Sequence, residues 1–351
     1  MGAARRLHRR VDGEHLGVCF QSCTNHLGKS QHLADRQVAA GTVAIRQRDA
    51  PSEAMRGHPA PAMSSTITFD AVTKSYPAGR GPESGSPAVD SFTARIEAGT
   101  TAVLLGSSGC GKTTLLRMVN RMVEPSSGRV LIDDEDVAAR DAVALRRSIG
   151  YVMQNAGLLP HRRVIDNITL VPSLQGVGRH ESRQRALELM DMLGLDRDLA
   201  GRYPHQLSGG QAQRVGVARA LAADPGVLLM DEPFGAVDPL VRRDLQREMV
   251  RIQAELGKTI IFVTHDVDEA LALGDEIILL REGAQVAQRG SGPQLLADPA
   301  DDFVARFLGL DDAARQLRLT DVAESRIVLD RAGRAVGRLT DESSTEAEER
   351  A

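Results

Sequence analysis

Glycine, lysine and threonine recur at a phosphate-holding spacing in Gly106-Ser107-Ser108-Gly109-Cys110-Gly111-Lys112-Thr113-Thr114. The run follows an apolar stretch at 101–105 and precedes Leu115-Leu116-Arg117-Met118, a strand–loop–helix setting. Glycines let backbone N–H groups turn inward onto phosphate oxygens, and the helix start adds partial positive charge. Lys112 is then placed to bridge the β- and γ-phosphates of a nucleotide, and the Thr113 hydroxyl to take Mg²⁺. The chemistry asks nothing of the Cys110 thiol, for which a packing role suffices.

Two further runs strengthen that reading. Val227-Leu228-Leu229-Met230 ends in Asp231-Glu232. A buried parallel strand ending there can present Asp231 to the metal shell and Glu232 to an attacking water. Acidic strand ends are common, so the pair gains meaning from the phosphate loop upstream. Leu207-Ser208-Gly209-Gly210-Gln211 lies shortly before it. Ser208 reads as the N-cap of a helix running through Val215 and Leu221, with two glycines baring backbone N–H groups to an anion.

Positioning these groups requires strands and helices in alternation. Runs at 67–72, 101–105, 129–132, 150–153, 227–230, 259–264 and 276–280 read as strands. Between them, 181–193 carries Leu187, Met190 and Leu193 on one helical face, and Gly194 ends it. The segment 240–256 places Val241, Leu245, Met249, Ile252 and Leu256 at helical steps. Such alternation argues for an α/β fold, a mainly parallel sheet covered by helices. Residues 77–87, dense in Gly, Pro and Ser, read as a loop. Near the end, 327–339 reads as two short strands around a glycine turn, and 340–351 as a disordered acidic tail.

Composition narrows the class. The chain has 351 residues, 26% charged, 42% hydrophobic and 3% aromatic, which excludes collagen, a disulfide scaffold, a coiled coil and wholesale disorder. Its longest apolar runs have strand length, short of the roughly 20 residues of a membrane span. With 43 basic against 47 acidic residues there is no overall bias towards nucleic acid. Residues 1–62 hold nine Lys/Arg against five Asp/Glu, show no periodicity and lack the apolar segment of a signal peptide. They read as a disordered or mis-started extension, with order resuming at Met63. Cys19, Cys23 and His26 lack a convincing fourth ligand, and three cysteines without a secretory signal point to a reducing compartment.

The three chemical runs, in this order, resemble the nucleotide-binding subunit of ATP-binding cassette (ABC) transporters. The resemblance covers about 66–310. It implies a P-loop NTPase (RecA-like) cassette over 64–310, with an inserted helical signature subdomain at about 157–215 and a small antiparallel β subdomain. It implies ATP and Mg²⁺ as cofactors, and extends the site to residues that spacing alone leaves open. Tyr76 fits the aromatic stacked on adenine, and Gln154 the glutamine that senses Mg²⁺ and contacts the membrane subunit. Asp238 fits the loop crossing the dimer interface, and His265 the histidine on the γ-phosphate. Two departures are minor: Ala212 stands where glutamine is frequent and Val237 where leucine is usual.

In that family two cassettes dimerise head to tail, each ATP lying between one phosphate loop and the other chain's Ser208-Gly209-Gly210-Gln211. The implied partners are a second copy, integral membrane permease subunits and an extracytoplasmic substrate-binding protein, with no nucleic acid. The implied place is peripheral, on the cytoplasmic face of the plasma membrane, with Asp166 and Asn167 near a coupling helix. Asn120-Arg121 with Glu124-Pro125, the stretch from Ile149 to His161, and 302–309 resemble importers of glycine betaine, carnitine and choline. Many of these continue into paired cystathionine-β-synthase-type modules, of which 311–351 looks like a short remnant or a packing flap. Importers of amino acids, methionine or thiamine-type solutes, exporters, and soluble ABC ATPases are the competing expectations. The soluble members carry two cassettes, long coiled coils or zinc hooks, none of which is seen in the sequence.

Overall fold

A computed structural model describes residues 64–76, 87–235, 238–311, 317–322, 325–330 and 332–339. The readings made for 1–62, for nearly all of 77–87 and for 340–351 lie outside these residues. β1 (Ile67–Lys74) and β2 (Val89–Ile96) form an antiparallel pair. β3 (Thr101–Gly106) runs into the phosphate loop and α1 (Lys112–Val119). β4 (Ser127–Ile132) returns to pair with β1, and β5 (Glu135–Asp136) completes a four-stranded antiparallel sheet, β2-β1-β4-β5.

α2 (Ala142–Ser148) leads into β6 (Ile149–Val152). Four helices follow: α3 (Val164–Ile168), α4 (Leu170–Leu174), α5 (Arg179–Met192) and α6 (Gly209–Leu221). β7 (Val227–Asp231), α7 (Pro239–Leu256), β8 (Thr259–Thr264), α8 (Val267–Leu273) and β9 (Glu276–Leu280) then alternate. β10 (Val286–Gly290) adds an antiparallel edge to a sheet of order β10-β9-β3-β8-β7-β6, whose other pairings are parallel. α9 (Gly292–Ala297) and α10 (Asp302–Phe307) follow. Among the described residues no helix is long and apolar enough to cross a membrane.

The central strands are apolar without interruption because both sheet faces are covered. Val103, Leu105, Leu228, Met230, Ile260 and Phe262 face one core, with α3, α5 and α6 packed over them. Ala102, Leu104, Val227, Leu229, Ile261 and Val263 face the other, under α1 and the antiparallel sheet. Alternate side chains along one strand thus serve two cores. Leu245, Met249 and Ile252 of α7 are buried as their spacing requires. On α5 and just after it the expected Met190 and Leu193 are buried and Leu187 is partly covered, with Ala186 and Leu189 joining the same buried face. β11 (Arg318–Val322), β12 (Ser325–Leu329) and β13 (Ala335–Leu339) form a third, antiparallel sheet. The expected hairpin is β12–β13, with Gly333 in its turn at φ 79°.

Candidate nucleotide-binding site

Four neighbouring strands, β3, β8, β7 and β6, deliver the chemistry at their carboxyl ends, where open α/β sheets bind ligands. β3 is buried along its whole length and ends at Gly106. Beyond it, Gly109 and Gly111 turn with φ of 83° and 109°, a left-handed backbone that costs a side chain strain. A Cβ on Gly111 would also stand 2.5 Å from the Ala88 carbonyl oxygen. α1 therefore starts on a glycine, with no side chain capping its first N–H groups. Lys112 is buried, and its ammonium donates to the Gly106 and Ser107 carbonyls at 2.7 Å each. Cys110 is buried with its Sγ 3.8 Å from that ammonium, consistent with packing inside the loop.

Asp231 ends β7 beside α1. Its Oδ1 accepts the Thr113 hydroxyl at 2.9 Å, while Oδ2 accepts the Tyr151 hydroxyl at 3.2 Å and lies 3.6 Å from the Arg117 guanidinium. Burial, then the Asp231 charge, pushes the Tyr151 phenol above its ordinary range, so it serves as a neutral donor. Bonding to the Tyr151 oxygen, more than the Asp231 charge, raises Arg117 further. A hydroxyl and a carboxylate at this distance are the hard oxygen donors that Mg²⁺ prefers, so Thr113 and Asp231 fit the ion.

Glu232 follows with φ 44°, a left-handed backbone for a side-chain residue, while its N–H still donates to the Val263 carbonyl at 3.0 Å. Its Oε2 lies 3.3 Å from Nδ1 of His265, the residue just after β8. Gly235 lies next to both Gln154 and Glu232. A Cβ there would sit 3.4 Å from the Gln154 amide nitrogen and 3.9 Å from Glu232 Oε2. Lys112, Thr113, Asp231, Glu232, His265 and Gln154 are thus gathered at the carboxyl ends of neighbouring strands.

Residues 89–235 match the family model described as ABC transporter. The glycine betaine uptake system ATP-binding protein YehX of Escherichia coli K12 is 48% identical over 259 residues, covering 74% of this chain and 82% of that protein. The chain belongs to the ABC transporter family. The osmoprotectant import ATP-binding protein OsmV of Salmonella typhimurium is 51% identical over 68% of the chain, and the carnitine transport ATP-binding protein OpuCA of Listeria monocytogenes 47% over 70%. The matches span 62% and 60% of those two relatives' own lengths. Among solved structures, the dimeric post-hydrolysis state of the ATP-binding cassette MJ0796 bound to ADP and Pi is 34% identical. It matches with a TM-score of 0.57, covering 64% of this chain and 98% of that one.

Tyr76, the Ser208–Gln211 run and Asp238 are the other residues of this ABC chain that the sequence points to. Tyr76, two residues beyond β1, has an exposed ring with the Lys74 ammonium 5.3 Å from its centroid. Ser208 caps α6, accepting the Gln211 N–H at 3.2 Å, while the Gln211 side chain accepts the Ser208 N–H at 3.0 Å. This reciprocal cap leaves Ser208 and Gly209 exposed, with Gly210 buried beneath, and among the described residues no hydrogen bond ties the run to the phosphate loop. Asp238 is exposed, and its carbonyl accepts the Arg242 N–H at 2.8 Å as α7 begins.

Several supporting residues escaped the sequence reading. Thr264 donates to Glu269 Oε2 at 2.6 Å and accepts the Asp266 N–H at 3.0 Å, fixing the turn that carries His265. Burial raises the Glu269 carboxyl above its ordinary range. Arg242 reaches both acids, 3.4 Å from Asp266 and 3.8 Å from Glu269, so the helix after Asp238 is tied to the turn at His265. The spacing Asp266-x-x-Glu269 was the available signal, a helix-start pattern.

α6 grips the turn holding Gln154 with three residues at steps of three. Gln213 donates to the Met153 carbonyl at 3.4 Å, and a Cβ on Gly216 would come 3.3 Å from Ala156. Arg219 donates to the Ala156 and Gly157 carbonyls at 2.7 and 2.6 Å. The helix opened by Ser208 therefore carries the Gln154 turn on its flank. Asn167 is fully buried: its amide accepts the Leu159 N–H at 2.8 Å and donates to the carbonyls of Leu159, Arg162 and Arg163. It shapes the segment after Gln154 from inside, while Asp166 beside it is exposed.

Proposed function

We propose that the chain is the ATP-hydrolysing subunit of a membrane importer for quaternary-amine osmolytes of the glycine betaine, carnitine and choline kind. The convergence of Lys112, the Thr113–Asp231 pair and the Glu232–His265 pair at the carboxyl ends of β3, β7 and β8 carries this reading. Incoming phosphates take up the Lys112 ammonium, now held by two carbonyls, and the N–H groups left open at the start of α1. Mg²⁺, when bound, neutralises phosphate charge during transfer. Thr113 and Asp231 hold it, with Gln154 on the approach. Glu232 Oε2 accepts the proton of the attacking water, and His265 beside it faces the γ-phosphate. Tyr76 offers its exposed ring to adenine.

Ser208 and Gly209 at the head of the signature run are exposed, so the run serves a second copy: each closes over the partner's nucleotide and lets go after hydrolysis. The cassette dimer works at the cytoplasmic face of the plasma membrane beneath permease subunits, fed by an extracytoplasmic binding protein. The cargo follows from the names of relatives at 47–51% identity and from the motifs at 120–125 and 149–161. Uptake of labelled glycine betaine, choline and proline, at high and low salt, tests it in cells carrying the intact gene or Glu232→Gln. Loss of quaternary-amine uptake alone is expected. Unchanged uptake of all three, with ATPase activity intact in the purified protein, would retain the engine and discard the cargo.

A further inference from the structure

Asp231 spends one carboxylate oxygen on Thr113, and its other oxygen faces two groups that nucleotide chemistry leaves without a task. Tyr151 comes from β6, where it lies level with Leu229 of the parallel neighbour β7. Residues two apart on a strand share a face, so Tyr151, Leu229 and Asp231 point the same way and the long ring spans the remaining step. Arg117 comes from α1, one helical turn after Thr113, so both meet Asp231 from a single helix face. The side chain of Asp231 is only 12% exposed, so water has little access to the carboxylate, although Arg117 itself is half exposed and meets it at ion-pair distance. A carboxylate held by one oxygen can rotate about its bond to Cβ. Held by both, it keeps Oδ1 on Thr113 and turns the metal-facing lone pairs one way.

We propose that Tyr151 and Arg117 are positioning residues that lock the Asp231 carboxylate in its metal-receiving orientation. The proposal rests on the reading above, in which nucleotide arrives with Mg²⁺ on Thr113 and Asp231. Their effect acts through Asp231 and so should appear only in the metal-dependent part of nucleotide affinity.

Affinity of the purified full chain for a non-hydrolysable ATP analogue, measured with Mg²⁺ and with a chelator, separates these parts. Tyr151→Phe deletes one hydroxyl and keeps the ring packed in the sheet. Removing a hydrogen bond to a charged group is expected to cut the gain from Mg²⁺ by about 10-fold, with metal-free affinity within about twofold of the unaltered chain. Arg117→Lys keeps the charge but loses the planar fork, and should fall between the two. With Mn²⁺ in place of Mg²⁺, the paramagnetic resonance of the bound complex should change in Tyr151→Phe. An undiminished metal gain would overturn the proposal, and so would an equal fall in both affinities, the mark of a role in packing alone. A failure of the underlying reading is registered separately, as an unaltered chain that gains nothing from Mg²⁺.

Discussion

Glu232→Gln is expected to lower ATP turnover by roughly 10²–10⁴-fold, the range for removing a general base, while nucleotide affinity stays close to that of the unaltered chain. The substitution preserves shape. Gln fills the same space, keeps the N–H bond to Val263 and can still meet His265 Nδ1, which lies 3.3 Å from Oε2. It cannot accept the water's proton. Nucleotide should therefore bind, draw two copies together and remain unhydrolysed, so the variant should accumulate as an ATP-dependent dimer in size-exclusion chromatography. With a left-handed backbone at residue 232, the Glu232 carboxylate, unlike that of Asp231, lies beside His265 just after β8. Turnover at the normal rate would remove Glu232 from the role and pass the proton to His265.

Lys112→Ala should act on binding instead. The ammonium donates to two loop carbonyls, and incoming phosphate replaces these acceptors with charged ones. Its loss is expected to weaken ATP binding by about 10–100-fold, corresponding to a hydrogen bond to a charged group. Unlike the loss in Tyr151→Phe, this one should persist in chelator, because Lys112 meets phosphate without help from the metal. Alanine also leaves a gap at a buried position and two carbonyls unpaired, so Lys112→Met, which keeps the stem, separates packing from charge. Titration calorimetry on both variants reads the difference. Equal affinity in Lys112→Met and the unaltered chain would show that the loop N–H groups alone hold the phosphates.

The strands that position this site are legible in the sequence because burial on both faces makes them continuous apolar runs, as at 227–230 and 259–264. Strands at the periphery are less visible. β2 alternates buried Val89, Phe92, Ala94 and Ile96 with exposed residues, and β11 is largely exposed, so neither carries the same signal. The phosphate loop and the Ser208 cap are local, their partners lying within a few residues, and the sequence displays both. Tyr151 meets Asp231 eighty positions away, and Arg219 meets Ala156 sixty-three away. Those contacts depend on strand order and on the docking of α6, which no short window contains. Asn167 sits in a segment read for surface contact, yet its amide satisfies four backbone groups in the interior. Ala186 on α5 went uncounted because alanine barely marks a hydrophobic stripe.

The most direct test of ATP hydrolysis at a site shared between two copies is phosphate release by the purified chain, followed as chain concentration rises. If, as proposed, the Ser208 run of one copy completes the site of another, release will require Mg²⁺ and climb faster than in proportion to concentration. It should be lost in Glu232→Gln. Release strictly proportional to concentration and unchanged in Glu232→Gln would contradict both the shared site and the residue placed at its centre.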